Sequence, residues 1–328
     1  MKKNKEIFCT LGPSSLNKDF LKFTNKKISL LRLNMSHIEI NKLVPTIKFI
    51  RKFSKVPICI DTEGAQIRTK IQKKKYYKYN DRLTIFKSDG NFKIYPPEIF
   101  NKLKKNDFLD IGFDGFKIKI IKIYSQKMIC KVSKSGLLEN NKGVHLVNRK
   151  VTLNFITKKD QQAINIADKM NIKHFALSFT NTHEDILKFN KLLKNKIKIF
   201  KIETKLAIKN LNKIMSAGNN FLIDRGDLSK DVSIEMIPIA QREILKMNKL
   251  KKKRVYVATN FLESMINSKY ATRGETNDIY NTLEMGSSGI VLAAETAIGK
   301  YPKECISFLE NIIKTFRKYN GTTKNLYM

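Results

Sequence analysis

The sequence predicts an α/β fold: a (β/α)8 TIM barrel with a small all-β lid domain inserted in one of its loops. Three observations predict it. Eight short apolar runs, rich in β-branched and aromatic residues, alternate with helical patterns, which is how a parallel sheet reads, and eight is the number that closes a barrel. Charged and polar residues gather at the carboxyl ends of those runs, where parallel α/β proteins carry their chemistry. Between Thr69 and about Lys150 the pattern changes to period-two alternation punctuated by Asp-Gly and Ser-Gly turns.

In chain order the apolar runs are EIFCTLG, ISLLRLNMS, VPICIDT, KHFALSFT, KIKIFKIE, FLIDRGD, RVYVATN and GIVLAAE. Helical spacing joins them. Ile40, Leu43, Ile47 and Phe53 lie on one face of residues 38–53, and Ile306, Leu309, Ile312 and Ile313 on one face of residues 302–318, with Pro302 at a first-turn position. DRLTIFK, FKIKIIKIY and KMICKVS supply the alternating strands of the insertion. The expected organisation is barrel over 1–69, β lid over 70–150 and barrel again over 151–328. An insertion in a βα loop hangs over the barrel mouth, the place for a lid that excludes water.

With 328 residues and 42% hydrophobic content the chain can bury a large core. The basic N-terminus has no apolar segment after it, and no run approaches the ~18 apolar residues of a membrane helix, so no membrane partner is expected. Cys9, Cys59, Cys130 and Cys305 are scattered and form no CxxC, which fits a reducing, cytoplasmic setting. The net charge of +35 is almost all lysine, 54 of 64 basic residues against 10 arginines, and it is spread through every region. Such a texture reads as compositional drift, so no specific nucleic-acid partner is expected, and the scarce arginines carry the information: Arg32, Arg68 and Arg225 all fall at strand ends.

Two neighbouring strand ends dominate. Lys201 and Glu203 alternate onto one face of their strand, and Asp227 closes the next. Two carboxylates brought together repel unless a divalent cation sits between them, and a lysine beside that cation suits a phosphate. Asn34, Ser36, Asp61 and Thr62 form a second set of hard oxygen donors, while Arg32 and Arg68 offer forked donors to phosphate oxygens.

These stretches resemble the pyruvate kinase family: CTLGPSS (9–15), RLNMSH (32–37), DTEGAQIRT (61–69), KGVHL (142–146), FKIET (200–204), DRGDLS (224–229), ATNFLESM (258–265), ATRGE (271–275) and AAETAIGKYP (293–302). Nine collinear matches cover nearly the whole chain. The resemblance implies phosphoryl transfer from phosphoenolpyruvate to ADP, giving pyruvate and ATP. It assigns Mg2+ (or Mn2+) to Glu203 and Asp227 and K+ to Asn34, Ser36, Asp61 and Thr62. Lys201, Arg68 and Thr259 become catalytic, the first two against the phosphoryl group and Thr259 near the proton delivered to the enolate. Arg32, Ser178, Gly226, Asp227 and Thr259 become substrate contacts, with backbone N–H groups at Gly226 and Asp227 receiving a carboxylate. Arg32, His37, Arg68 and Lys142 fall on the nucleotide side.

The family pattern is broken at several positions. Glu63-Gly64-Ala65-Gln66 stands for Lys-Gly-Pro-Glu, Asp224 for a small apolar residue, Ser229 for a glycine and Asn181 for a basic residue. The family's C-terminal effector domain has no counterpart, so the resemblance implies a non-allosteric short form, with homo-oligomer formation through barrel helices left open. Two other readings stay open on these residues: a divergent barrel enzyme acting on a pyruvate enolate as an aldolase or lyase, and a catalytically silent binding protein.

Overall fold

In the computed structural model the described residues are 5–64, 66–112, 115–149, 151 and 153–319. Ala65 of the third strand-end motif, Lys150 and the polar tail NGTTKNLYM lie outside them. The described residues divide into two compact units, one drawn from Met1–Gly64 and Lys158–Met328, the other from Ala65–Thr157.

The first unit is a closed barrel of eight parallel strands: β1 (Glu6–Thr10), β2 (Leu30–Asn34), β3 (Ile58–Asp61), β4 (His174–Leu177), β5 (Ile197–Ile202), β6 (Asn220–Asp224), β7 (Arg254–Ala258) and β8 (Gly289–Leu292). Each strand pairs with its sequence neighbours, and β8 closes back onto β1 with Glu6 opposite Gly289. The eight apolar runs are these eight strands. They are short and nearly all buried because one face packs into the barrel and the other against helices.

One cluster, Phe8, Leu30, Cys59, Ala176, Ile199, Leu222, Tyr256, Ala258 and Val291, draws from every strand and therefore fills the interior. Residues of the opposite parity face outward; Phe200, for example, meets Phe189 of the helix His183–Leu192 edge-on at 6.1 Å. The helix Ile40–Phe53 buries Leu43, Ile47 and Ile50, and Pro302–Tyr319 buries Cys305, Ile306, Leu309, Ile312, Ile313 and Phe316. Among the described residues no helix is long and apolar enough to cross a membrane, and all four cysteines are buried and unbridged.

The second unit is all-β. Its main sheet runs Val144–Leu146, Phe108–Ile111, Phe116–Ile123, Lys127–Lys134, Arg82–Phe86, Phe92–Tyr95, Arg68–Ile71, and a two-stranded ribbon pairs Gly136–Leu138 with Lys75–Tyr77. The alternation seen in FKIKIIKI becomes a strand whose Phe116, Ile118 and Ile120 are buried beside Leu109, Cys130 and Val132. The lysines between them point the other way.

Candidate active site

Period-two alternation builds the site. Two residues beyond the interior layer, on the same face of each strand, Leu30 leads to Arg32, Cys59 to Asp61, Ala176 to Ser178, Ile199 to Lys201 and Leu222 to Asp224. The apolar plug of the barrel is thus capped at its carboxyl end by a charged layer. All five of those side chains are buried.

Lys201 is the hub. Its Nζ lies 2.5 Å from Glu203 Oε1, 3.3 Å from Asp224 Oδ2 and 3.5 Å from Asp61 Oδ2, and it donates to Ser178 Oγ at 3.3 Å. Arg32 Nε stands 2.9 Å from Asp61 Oδ2. Burial works against the Lys201 ammonium, but Asp61, Glu203 and Asp224 together outweigh it and hold the side chain charged above its usual range. Asp224 is held below the usual carboxylate range against the burial penalty, chiefly by Lys201 and Arg32, with the Asp227 backbone N–H contributing. Glu203 goes the other way: burial, reinforced by Asp227 and Asp224, outweighs Lys201 and pushes its carboxyl up to about 8.

Glu203, Asp224 and Asp227 each present a carboxylate oxygen, all within 4.8 Å of one another. Glu203 Oε2 accepts from the Phe179 N–H at 2.6 Å. Oε1 is close to Lys201 yet poorly aligned with it, so among the described residues it receives no directed hydrogen bond. An all-oxygen donor set of three converging carboxylates fits a hard divalent cation such as Mg2+ or Mn2+.

The other half of the site is strained. Thr259 and Asn260, just past β7, have φ of 73° and 57°, and the left-handed region is costly for a β-branched residue. The structure over-determines Thr259. Arg225 Nε and a terminal guanidinium nitrogen both donate to its carbonyl, at 3.1 and 2.5 Å, while Gly226 N–H donates to its Oγ1 at 2.7 Å and that hydroxyl lies 3.3 Å from Asp224 Oδ1. Arg225 in turn pairs with Asp278 at 2.7 Å and stacks 4.0 Å above the Phe261 ring. The backbone of the residue that the resemblance makes catalytic is thus braced by Arg225, while its hydroxyl lies among Gly226 N–H, the Ala258 carbonyl and Asp224.

The remaining candidates are placed as follows. Asn34 is opposite Asp61 in the β2–β3 register, and its Oδ1 accepts the Ser36 N–H at 3.0 Å in a local turn. Thr62 Oγ1 accepts the Ser178 N–H at 3.0 Å, and Ser178 Oγ donates to Thr62 O at 2.7 Å. The loop they begin is tied down by buried Asp160, which accepts from Glu63 N–H at 2.7 Å and Gly64 N–H at 3.2 Å. His37 is exposed, its backbone N–H closing onto Asn34 O. Asp227 pairs with Lys230 one helical turn on. Arg68 and Lys142 belong to the second unit, where Arg68 reaches toward Asn141 O at 3.5 Å and Lys142 pairs with Glu139 at 2.9 Å.

Two residues of the site escaped the sequence reading. Asp224, in the sequence only a departure from the family pattern, is a full member of the carboxylate cluster; its two-residue spacing from Leu222 places it there only once the barrel register is known. Arg225 is in the sequence only an arginine at a strand end; its partners Thr259 and Asp278 lie 34 and 53 residues away, beyond any local spacing.

Comparison with known proteins agrees with this geometry. A family model described as "Pyruvate kinase, barrel domain" matches residues 2–306. Pyruvate kinase of Thermotoga maritima is 31% identical over 330 residues, 95% of this chain and 71% of that protein. The Staphylococcus saprophyticus enzyme is likewise 31% identical over 332 residues, 95% of this chain but 56% of the relative, so the chain spans just over half the length of the staphylococcal protein. The crystal structure of Cryptosporidium parvum pyruvate kinase superposes with a TM-score of 0.87 at 28% identity, covering 95% of this chain and 70% of that one.

Proposed function

Because the chain belongs to the pyruvate kinase family, we propose that it transfers the phosphoryl group of phosphoenolpyruvate to ADP with the charged layer at the carboxyl end of its barrel. The observation that carries this is the Lys201 ammonium held charged at the convergence of β3, β5 and β6. Phosphoryl transfer needs little covalent work from a protein; it needs fixed positive charge where the phosphoryl oxygens pass. Three carboxylates keep Lys201 protonated and immobile, so no reorganisation is needed at the moment of transfer.

In the overall reaction the bond from phosphorus to the enolate oxygen breaks and one to a terminal β-phosphate oxygen of ADP forms. The enolate then takes a proton at its methylene carbon. Glu203 and Asp227 are the residues that would hold Mg2+ or Mn2+, which when bound supplies charge neutralisation between phosphoryl and enolate oxygens. Thr259, braced by Arg225, orients a hydroxyl toward the reacting centre and is suited to ordering the water that delivers the proton. For the substrate carboxylate, the Gly226 and Asp227 N–H groups are the proposed donors; Gly226 N–H is held by Thr259 Oγ1 in this structure and would have to be shared or released. K+ is proposed at Asn34, Ser36, Asp61 and Thr62, supported by the pairing of Asn34 with Asp61 across adjacent strand ends. The roles of Arg68, Lys142, Arg32 and His37 toward the nucleotide rest on the sequence motifs alone.

Purified protein mixed with phosphoenolpyruvate, ADP, Mg2+ and K+ is expected to form pyruvate and ATP in equal amounts. A folded protein that forms neither refutes the proposal.

A further inference from the structure

Asp224 changes the electrostatic balance of the barrel mouth. Two buried cations, Arg32 and Lys201, face three buried carboxylates, Asp61, Glu203 and Asp224, while Asp227 is answered by Lys230. With all three carboxylates ionised one negative charge would be left over in a site shielded from water; in the free protein at neutral pH a proton on Glu203, whose carboxyl burial pushes up to about 8, relieves it. Taking such a charge out of water is expensive unless it is paired, so a divalent cation that displaces the Glu203 proton answers the same surplus. A small apolar side chain at position 224 would leave the same buried groups balanced, with no comparable drive.

Asp224 is also placed to serve. Its carboxylate shares the 4.8 Å cluster with Glu203 and Asp227. Glu203, 1% exposed, sets its Oε1 2.5 Å from Lys201 Nζ without a directed hydrogen bond among the described residues. These are separate observations: one is a count of charges, the other the convergence of three carboxylates.

We propose that Asp224 is a third carboxylate of the divalent-cation site, and that the protein loads its cation before any anionic substrate arrives. The inference rests on the cation site proposed above and adds to it a residue and an order of binding. An anionic substrate meeting the cation-free site finds no surplus of positive charge, and meeting the loaded site it does. Substrate affinity therefore depends on prior loading.

The test titrates Mn2+ alone into the whole protein, with no substrate or nucleotide, reading free Mn2+ by electron paramagnetic resonance and checking each variant's fold by circular dichroism. Wild type is expected to bind one ion. Asp224→Asn keeps the shape and removes the charge, and it should weaken binding by about tenfold or more, as should Asp224→Ala, because affinity for hard cations follows the number of charged ligands. Mn2+ binding to Asp224→Asn within twofold of wild type, or no binding by wild type until phosphoenolpyruvate is added, overturns the inference. Glu203→Gln separates the two levels: if it abolishes Mn2+ binding while Asp224→Asn does not alter it, only the inference falls, whereas retention of wild-type binding by Glu203→Gln removes the cation site itself.

Discussion

Replacing Lys201 by Met keeps the length of the side chain and removes its charge, and the consequence can be worked from the contacts. At an effective dielectric near 20, the approaches of 2.5, 3.3 and 3.5 Å to Glu203, Asp224 and Asp61 are worth about 7, 5 and 5 kcal/mol of gross attraction. Most of that is offset by the desolvation of four buried charges, and breaking such an arrangement from one side leaves a net loss of about 3–5 kcal/mol. The loss must also depend on pH. At low pH the orphaned carboxylates escape the penalty by taking up protons, Glu203 first because it is pushed up to about 8 even with Lys201 present. At high pH they cannot. Urea unfolding of wild type and Lys201→Met at pH 6 and pH 9, without divalent ions, should therefore show a destabilisation that grows with pH. Adding Glu203→Gln to Lys201→Met should recover part of it, a coupling of about 1–3 kcal/mol. Turnover of phosphoenolpyruvate should fall about 10³-fold or more, the scale on which a cation poised against a moving phosphoryl group contributes. A penalty under about 1 kcal/mol at pH 9 would refute the picture of a desolvated charge hub, as would a double variant less stable than the single one.

Other outcomes follow from neighbouring observations. Glu203, raised to about 8, is mostly protonated at neutral pH, so Mg2+ must displace its proton: affinity should rise with pH and level off above about 8, and calorimetry at pH 7 in buffers of different ionisation enthalpy should report release of about one proton per ion. Zero release would show that the carboxyl is already ionised. Thr259→Ala should lower turnover about 10²-fold while Thr259→Ser keeps most of it, since serine keeps the hydroxyl that Gly226 N–H holds and both variants keep the carbonyl that Arg225 braces; equal losses in both would assign the effect to backbone strain. Tyr256→Phe removes a 2.5 Å hydrogen bond to Glu6 and should cost about 1.5–3 kcal/mol in thermal or urea unfolding without touching turnover. Burial pushes the thiols of Cys9, Cys130 and Cys305 up to about 12 and raises Cys59 as well, so a thiol reagent should label none of them in the native protein and all four after unfolding.

The barrel was legible because its strands are buried on both faces. A run such as GIVL (289–292), buried at all four positions, carries no alternation of polarity, and only a sheet covered on both sides accepts that. The identity of the chemistry was legible as well, because Lys201, Glu203 and Asp227 lie within strand-end motifs whose spacing is local. What the sequence could not show is which strand faces point the same way across strands. That depends on the stagger of the barrel, a property of the closed sheet rather than of any one run. Lys201 and Glu203 were in phase by inspection; whether Asp224 joined them or turned outward was not decidable until β5 and β6 were registered against each other, with Lys201 opposite Leu222.

The same limit explains the two assignments that the structure loads with a second duty. Asp61 was read as one of four oxygen donors beside Asn34, and the register does place them side by side. Yet its carboxylate also stands against Arg32 and Lys201, so it serves the charge layer at the same time. Asn34, for its part, spends one lone pair on the Ser36 N–H and keeps one. Donor inventories taken from a sequence count oxygens, but a cation competes for lone pairs, and those are shared with every neighbour that folding brings up. Position 224 shows the size of the effect: in the sequence one aspartate more is a detail among 29 acidic residues, whereas in the barrel mouth it sets a third buried carboxylate against two buried cations.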